Sequence, residues 1–228
     1  VTLTVNPEPF VANQTATICS DGTTGVTLGN DTDGPNVTTY NITSINANGL
    51  TASAGTPATG TALLANEIAD DAWTNMTASA IDVVYTVVPV SAGSCLGNPF
   101  TVTVTVNPEP IVVSQLATVC SDVATGVTLG NDANTPAVAT YNIVSINSNG
   151  LVASAGTPVT GTGKLANEIV NDAWTNTTSL SVNVIYTVVP VSAAGCQGNP
   201  FTVTMIVNPE PVVVNQSIVI CSDADLGV

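Results

Sequence analysis

Thr101-Val102-Thr103-Val104-Thr105-Val106-Asn107-Pro108-Glu109-Pro110 is the stretch that decides the fold. Strict alternation over its first six residues puts valines on one face of an extended chain and threonines on the other, which marks a strand with one buried face. The two prolines that follow fix φ and lack an N–H, so pairing stops there and the chain stays stiff. The same junction stands at Asn6-Pro7-Glu8-Pro9 and again at Asn208-Pro209-Glu210-Pro211, a step of 101 residues each time. Sliding residues 1–101 onto 102–202 needs no gap and matches 70 of the 101 positions, so the chain is a tandem repeat. A unit of this size can build its own core, unlike the short units of a solenoid. The expected division is 1–9 for the last strand and linker of a preceding repeat, 10–110 and 111–211 for two β-sandwich repeats, and 212–228 for the start of a third. The chain reads as a window on a longer array of folded beads joined by semi-rigid junctions.

Within the unit every strong signal is β. Ile81-Asp82-Val83-Val84-Tyr85-Thr86-Val87-Val88 is a second long strand, with Ile81, Val83, Tyr85 and Val87 on the core face. Its other face carries Val84 and Val88, matched by Ile185 and Val189, and is expected to be covered as well. Shorter strands are expected over 11–18, 25–28, 40–45 and 50–53. Turn signals separate them at Asp33-Gly34-Pro35, Asn48-Gly49, Gly55-Thr56-Pro57 and Gly97-Asn98-Pro99. One short helix is expected over 63–69 and again over 164–170. Six or seven short strands per hundred residues predict an all-β, immunoglobulin-like sandwich.

Composition removes several functions. The 228 residues hold 16 acidic side chains, one lysine (Lys164) and no histidine, for a net charge of −15. One cation cannot displace the counterions of a nucleic acid, and an anionic membrane surface repels such a chain. Histidine acid–base chemistry and histidine-ligated zinc are excluded within the segment. No apolar run reaches the roughly 18–20 residues of a membrane helix, so no membrane insertion is expected.

The ordered set Val-Asn-Pro-Glu-Pro (5–9), Cys-Ser-Asp (19–21), Tyr-Asn-Ile (40–42), Leu-Ala-Asn-Glu-Ile with Asp-Ala-Trp-Thr-Asn (64–75), Tyr-Thr-Val-Val-Pro-Val-Ser (85–91) and Gly-Asn-Pro-Phe with Thr-Val (97–102) recurs one period later. It resembles the PKD-like repeats of Bacteroidota surface proteins, over every position of the chain. The resemblance implies tandem immunoglobulin-like (PKD-like) modules of large secreted adhesins, and hence an extracellular or cell-surface location. The tryptophan-aspartate-phenylalanine-glycine strand of the wider PKD group is absent, so no carbohydrate-binding role is carried over.

The five cysteines occupy two positions of the repeat: Cys19, Cys120 and Cys221, then Cys95 and Cys196. With no Cys-x-x-Cys and no histidine, an oxidised disulfide framework is the better reading than zinc. Pairing within repeats gives Cys19–Cys95 and Cys120–Cys196, with Cys221 left to a partner outside the chain. In an immunoglobulin topology, however, Cys19 falls at the C-terminal pole and Cys95 in the last hairpin at the N-terminal pole. A nine-residue strand separates the poles by about 30 Å, far beyond disulfide reach. Cys19–Cys196, which staples consecutive repeats, is the competing pairing, and Cys95–Cys120 is a third; sequence leaves all of them open.

Acidic residues gather at Asp31 and Asp33 and at Glu67, Asp70 and Asp71; the second copy keeps Asp132, Glu168 and Asp172 but replaces two others by Asn134 and Asn171. Oxygen-only clusters suit calcium, the one ion these loops could take, while turn and cap chemistry is the plainer explanation. No other cofactor is expected. Glu8, Glu109 and Glu210 near Asp21 and Asp122 form a weaker inter-domain candidate. A glycosidase carboxylate pair is disfavoured, because small loops offer no aromatic-lined cleft. Trp73 and Trp174 could stack on sugar, but one tryptophan per unit more often closes a sandwich core. Sequons at Asn13, Asn30, Asn36, Asn41, Asn75, Asn176 and Asn215 are expected by chance in so Asn- and Thr-rich a chain.

The expected function is therefore a non-catalytic shaft of an extracellular adhesin or surface filament, partnered by copies of itself or by a host or environmental surface. The alternative is a multivalent glycan- or calcium-dependent binding module, in which avidity explains the duplication. Catalysis would have to lie elsewhere in a parent protein.

Overall fold

The computed structural model describes residues 1–30, 33–131, 136–211, 217 and 219. Asp31, Asp132, Asn134, Asn215, Cys221 and most of the expected third repeat lie outside them. Among the described residues, seven strands build each repeat. In the first they are β1 (Gln14–Cys19), β2 (Val37–Asn46), β3 (Thr51–Ala54), β4 (Gly60–Leu63), β5 (Ala72–Thr74), β6 (Ile81–Ser91) and β7 (Phe100–Asn107). In the second they are β8 (Gln115–Cys120), β9 (Val138–Asn147), β10 (Val152–Ala155), β11 (Gly161–Lys164), β12 (Ala173–Thr175), β13 (Val182–Ser192) and β14 (Phe201–Asn208). Each repeat has a five-stranded sheet, in order β1-β7-β6-β2-β4 or its copy, faced by a two-stranded one, β3-β5 or its copy. The chain is all-β, in two sandwiches, as expected.

The alternating strand lies inside its sheet, between β1 and β6. β7 buries Phe100, Val102, Val104 and Val106 and turns its threonines outward. It pairs antiparallel with β6, setting Val83 against Val104 and Tyr85 against Val102, and parallel with β1 on its other side. Leu28, Ile68 and Trp73 close the core from the opposite layer. Burying such side chains contributes about 1.5–3 kcal/mol each. The outer face of the long strand is only half covered: Val84 and Val88 are half-buried, whereas Val189 is buried.

Three sequence expectations fail locally. The segment 63–69 is not a helix, and neither is 164–170. Leu63 and Lys164 end strands, and a run of tight turns follows, with Glu67 N–H donating to Leu64 C=O and Ala69 N–H to Asn66 C=O. The other carbonyls here are used across the molecule: Leu28 N–H donates to Ala65 C=O and Gly25 N–H to Ala69 C=O. Continuous helical pairing would compete for those acceptors. For the same reason 25–28 belongs to no sheet: the N–H groups of Gly25 and Leu28 are spent on the turn run. β1 begins at Gln14, with Val11 buried ahead of it, and the short strands β4 and β5 were not foreseen.

β4 carries a non-glycine strain. Ala62 sits at φ 58, where the second repeat has Gly163 at φ 67 with open space around its missing Cβ. A left-handed conformation costs an L-residue roughly 1–2 kcal/mol. Gly163→Ala is therefore expected to destabilise the second repeat by about 1 kcal/mol, and Ala62→Gly to stabilise the first by a similar amount. Thermal melts of the two variants check this; shifts of the same sign would contradict it.

Candidate functional site at the repeat junction

The sequence at 19–21 makes a built turn. Ser20 N–H donates to Asn107 C=O (2.8 Å), Asp21 N–H to Trp73 C=O (3.0 Å), and Gly22 N–H closes back on Cys19 C=O. Asp21 takes φ 60, and its carboxylate accepts from Thr74 Oγ1 at 2.5 Å. That hydrogen bond is the main reason its pKa lies below the usual carboxylate value. Ser20 Oγ accepts from Asn75 N–H, and the Asn75 amide donates onward to Val106 C=O and Ser79 C=O. The polar groups around Cys19 are thus engaged at the end of β7, where the chain leaves for the next repeat.

The hairpin between β13 and β14 supplies the other half. Ser192 N–H donates to Cys196 C=O, Cys196 N–H to Ser192 Oγ (3.2 Å), and Gly198 N–H to Pro190 C=O. Gly198 lies so close under Pro110 that a Cβ there would stand 1.8 Å from the Pro110 carbonyl oxygen, so the linker is seated on the hairpin. Cys196 is buried and bonded to Cys19 across 177 residues, with the two Cα atoms 5.5 Å apart. Cys19 and Cys95 do not pair. Cys95 and Cys120 are free thiols, the first half-buried and the second exposed. Beside the disulfide, Pro108 and Pro110 are buried, and burial raises the pKa of Glu109, with the Asp21 charge adding to it.

Glu67 and Asp70 lie close enough to Asp71 for their charges to act on it, and Glu168 is ion-paired with Lys164 at 2.6 Å. Asp71 and Asp172 are buried in their cores, each accepting a hydrogen bond from a tyrosine hydroxyl, Tyr85 and Tyr186, at 2.9 Å. The same hydroxyls accept from the indole N–H of Trp73 and Trp174, which lie in the core as expected. Among the described residues, no three acidic or cysteine side chains come together as a metal site. Two sequons are structural: the Asn75 and Asn176 side chains are buried and fully engaged. Sequence reading passed over the serines and asparagines that hold the cysteines; the recurring Cys-Ser-Asp and Ser-x-x-x-Cys spacings were the available signal.

Desolvation pushes the Asp71 carboxyl up to about 6, against the lowering effect of the Tyr85 hydrogen bond and with help from Asp70 and Glu67; Asp172 is raised for the same first cause. A raised carboxyl favours folding in its protonated form, so this contribution is fully present below the unfolded value near 4 and is lost as pH rises through about 6. Compared with wild type, Asp71→Asn/Asp172→Asn keeps an acceptor for each tyrosine but removes the titration. The stability gap between the two is expected to narrow as pH falls from 7.5 to 5. Parallel melting profiles would contradict the assignment.

The PKD-like domain family model matches the chain twice, over 16–110 and 117–211. No curated protein matches it. Solved structures resemble it distantly. The EC1-2 fragment of human protocadherin-24 is 15% identical, covering 91% of this chain and 100% of that one, with TM-score 0.31. The fibronectin(III)-like modules of Clostridium thermocellum CbhA are 12% identical over 90% and 96%, with TM-score 0.29. Drosophila N-cadherin EC1-3 is 13% identical over 90% and 69%, with TM-score 0.26. None of these three bears on what the chain does.

Proposed function

The chain belongs to the PKD-like domain family, and from that premise we propose that it is a non-catalytic structural repeat, the semi-rigid shaft of an extracellular adhesin or surface filament. The observation that carries this reading is the Cys19–Cys196 disulfide. It joins one repeat to the next, and neither cysteine belongs to the hydrophobic core cluster of its repeat, so it serves the junction. A covalent staple beside a proline linker removes bending freedom that either feature alone would leave. Disulfides of this kind persist in oxidising surroundings, which supports a secreted location. The carboxylates with raised pKa are held by tyrosine in the core or by the linker at the junction, where a shaft needs no reactive group.

Small-angle scattering tests the rigidity. The oxidised chain is expected to scatter as a single elongated particle. Reduction should broaden its distance distribution while each repeat still melts cooperatively. An oxidised chain as flexible as the reduced one would rule the shaft out.

Stiffness on this reading comes from the disulfide and the prolines, without calcium. A chelator is therefore expected to leave both the scattering profile and the melting temperature in place. A calcium-dependent rise in either would favour the binding-module reading instead.

A further inference from the structure

The outer face of the large sheet in the second repeat carries no charge. β8, β14, β13 and β9 hold no charged residue, although the chain has 16 carboxylates. The one cation, Lys164 of β11, is spent on Glu168. Strand register lines the outward side chains up in rows. Leu116 lies beside Thr204, Thr204 beside Ile185, and Ile185 beside Asn147, one row across four strands. Thr118, Ile206 and Asn183 form the next row. Val144 is the extra residue where the β9 register shifts, beside Ser145. Among the described residues nothing covers this face fully: Leu116 is 70% exposed, Val144 is 52% exposed, and Ile185 and Ile206 are half-buried.

The first repeat builds the same sheet with a different surface. One period earlier, Leu116, Val144, Ile185 and Ile206 are Thr15, Thr43, Val84 and Thr105, and Asn183 is Asp82. Thr105 Oγ1 donates to the Asp82 carboxylate across β7 and β6 (2.7 Å), a polar pair that Ile206 and Asn183 replace. Each of the five differences removes a charge or a hydroxyl, or adds apolar bulk. None of the five side chains in the second repeat belongs to its hydrophobic core cluster, so packing inside the repeat does not call for them.

We infer that this face is a docking surface for the same face of a second copy of this chain, so that two copies pair side by side through their second repeats. Charge selects the occupant. Copies of charge −15 repel one another, and a face without carboxylates is where one copy admits another most closely. Shape agrees, because two pleated faces pack with their strands within about 30° and the sheets about 10 Å apart. A patch that meets itself across a two-fold axis is self-complementary and closes at two copies. The area suffices as well. Five strands at about 4.8 Å and eight residues at about 3.3 Å make a face of about 24 Å by 26 Å. Two such faces remove about 1,200 Å² from water, which clears the roughly 1,000 Å² that a specific interface needs. The pairing adds a lateral contact to the shaft reading and does not depend on it.

The test is sedimentation velocity of the full chain carrying Cys95→Ser/Cys120→Ser/Cys221→Ser, so that association cannot come from a new disulfide. The expected result is a monomer–dimer equilibrium within about 10–500 μM, the range of a contact at the small end of specific interfaces. Raising salt from about 0.05 to 0.5 M should tighten it, because the repulsion between copies is screened. Adding Leu116→Thr/Val144→Thr/Asn183→Asp/Ile185→Val/Ile206→Thr installs the residues with which the first repeat already folds. That set should weaken the dimer by about tenfold or more while a cooperative melt remains, since each loss of apolar area counts on both copies. The reverse set, Thr15→Leu/Thr43→Val/Asp82→Asn/Val84→Ile/Thr105→Ile, should tighten association or carry it beyond dimers. Monomers throughout, or dimers that the first set leaves unchanged, would overturn the inference. So would a monomer that pellets with crystalline cellulose or chitin through these residues, which would assign the face to a carbohydrate surface. None of these outcomes touches the Cys19–Cys196 staple, on which the shaft reading stands.

Discussion

The parallel pairing of β1 with β7 is the constraint on which the rest of the structure depends. Its register sets Gln14 beside Val102 and Cys19 beside Asn107, so the first strand ends level with the last. The chain therefore leaves each repeat at the point where that repeat displays its first cysteine. The hairpin cysteine of the same repeat lies beyond the opposite end of β7. Eight residues at about 3.3 Å per residue put about 25 Å between the two ends, which forbids a disulfide within the repeat. The next repeat's hairpin has no such separation, and Cys196 meets Cys19.

From that register the junction assembles with little further adjustment. Ser20, Asn75 and Asp21 lock the Cys19 turn to the ends of β5 and β7, so the thiol is positioned by the same hydrogen bonds that finish the sandwich. Pro108 and Pro110 are buried against the two poles, and Gly198 admits the linker carbonyl where any side chain would collide. On the proposed shaft reading, this seating of the linker is what limits bending at the junction. The covalent bond adds to this by loop closure. Cross-linking a 177-residue separation corresponds to about 5 kcal/mol in the chain-entropy account.

Much of this was legible in the residues, for identifiable reasons. Strict alternation at 101–106 and one-parity apolar positions at 81, 83, 85 and 87 have a single physical reading, and both became strands inside the sheet with those residues inward. The 101-residue step exposed the repeat, and the ordered motifs brought the family into view. Leu64-Ala65-Asn66-Glu67-Ile68 misled because its residues suit a helix, while the structure uses its carbonyls to hold 25–28. β4 and β5 are three or four residues long and rich in Gly, Ala and Thr, too short for any period to register. The paired cysteines were visible but not their partners, since pairing depends on which strand lies beside which. Asp71 looked like a ligand in sequence; only the fold reveals that Tyr85 already holds it.

The account stands on one covalent link, and the direct measurement is peptide mapping of the oxidised chain under non-reducing conditions. It predicts a cross-linked fragment pair containing Cys19 and Cys196, with Cys95 and Cys120 absent from any bond within the monomer. Recovery of Cys19–Cys95 together with Cys120–Cys196 would contradict it, because those bonds require the first strand to end at the opposite pole of each sandwich.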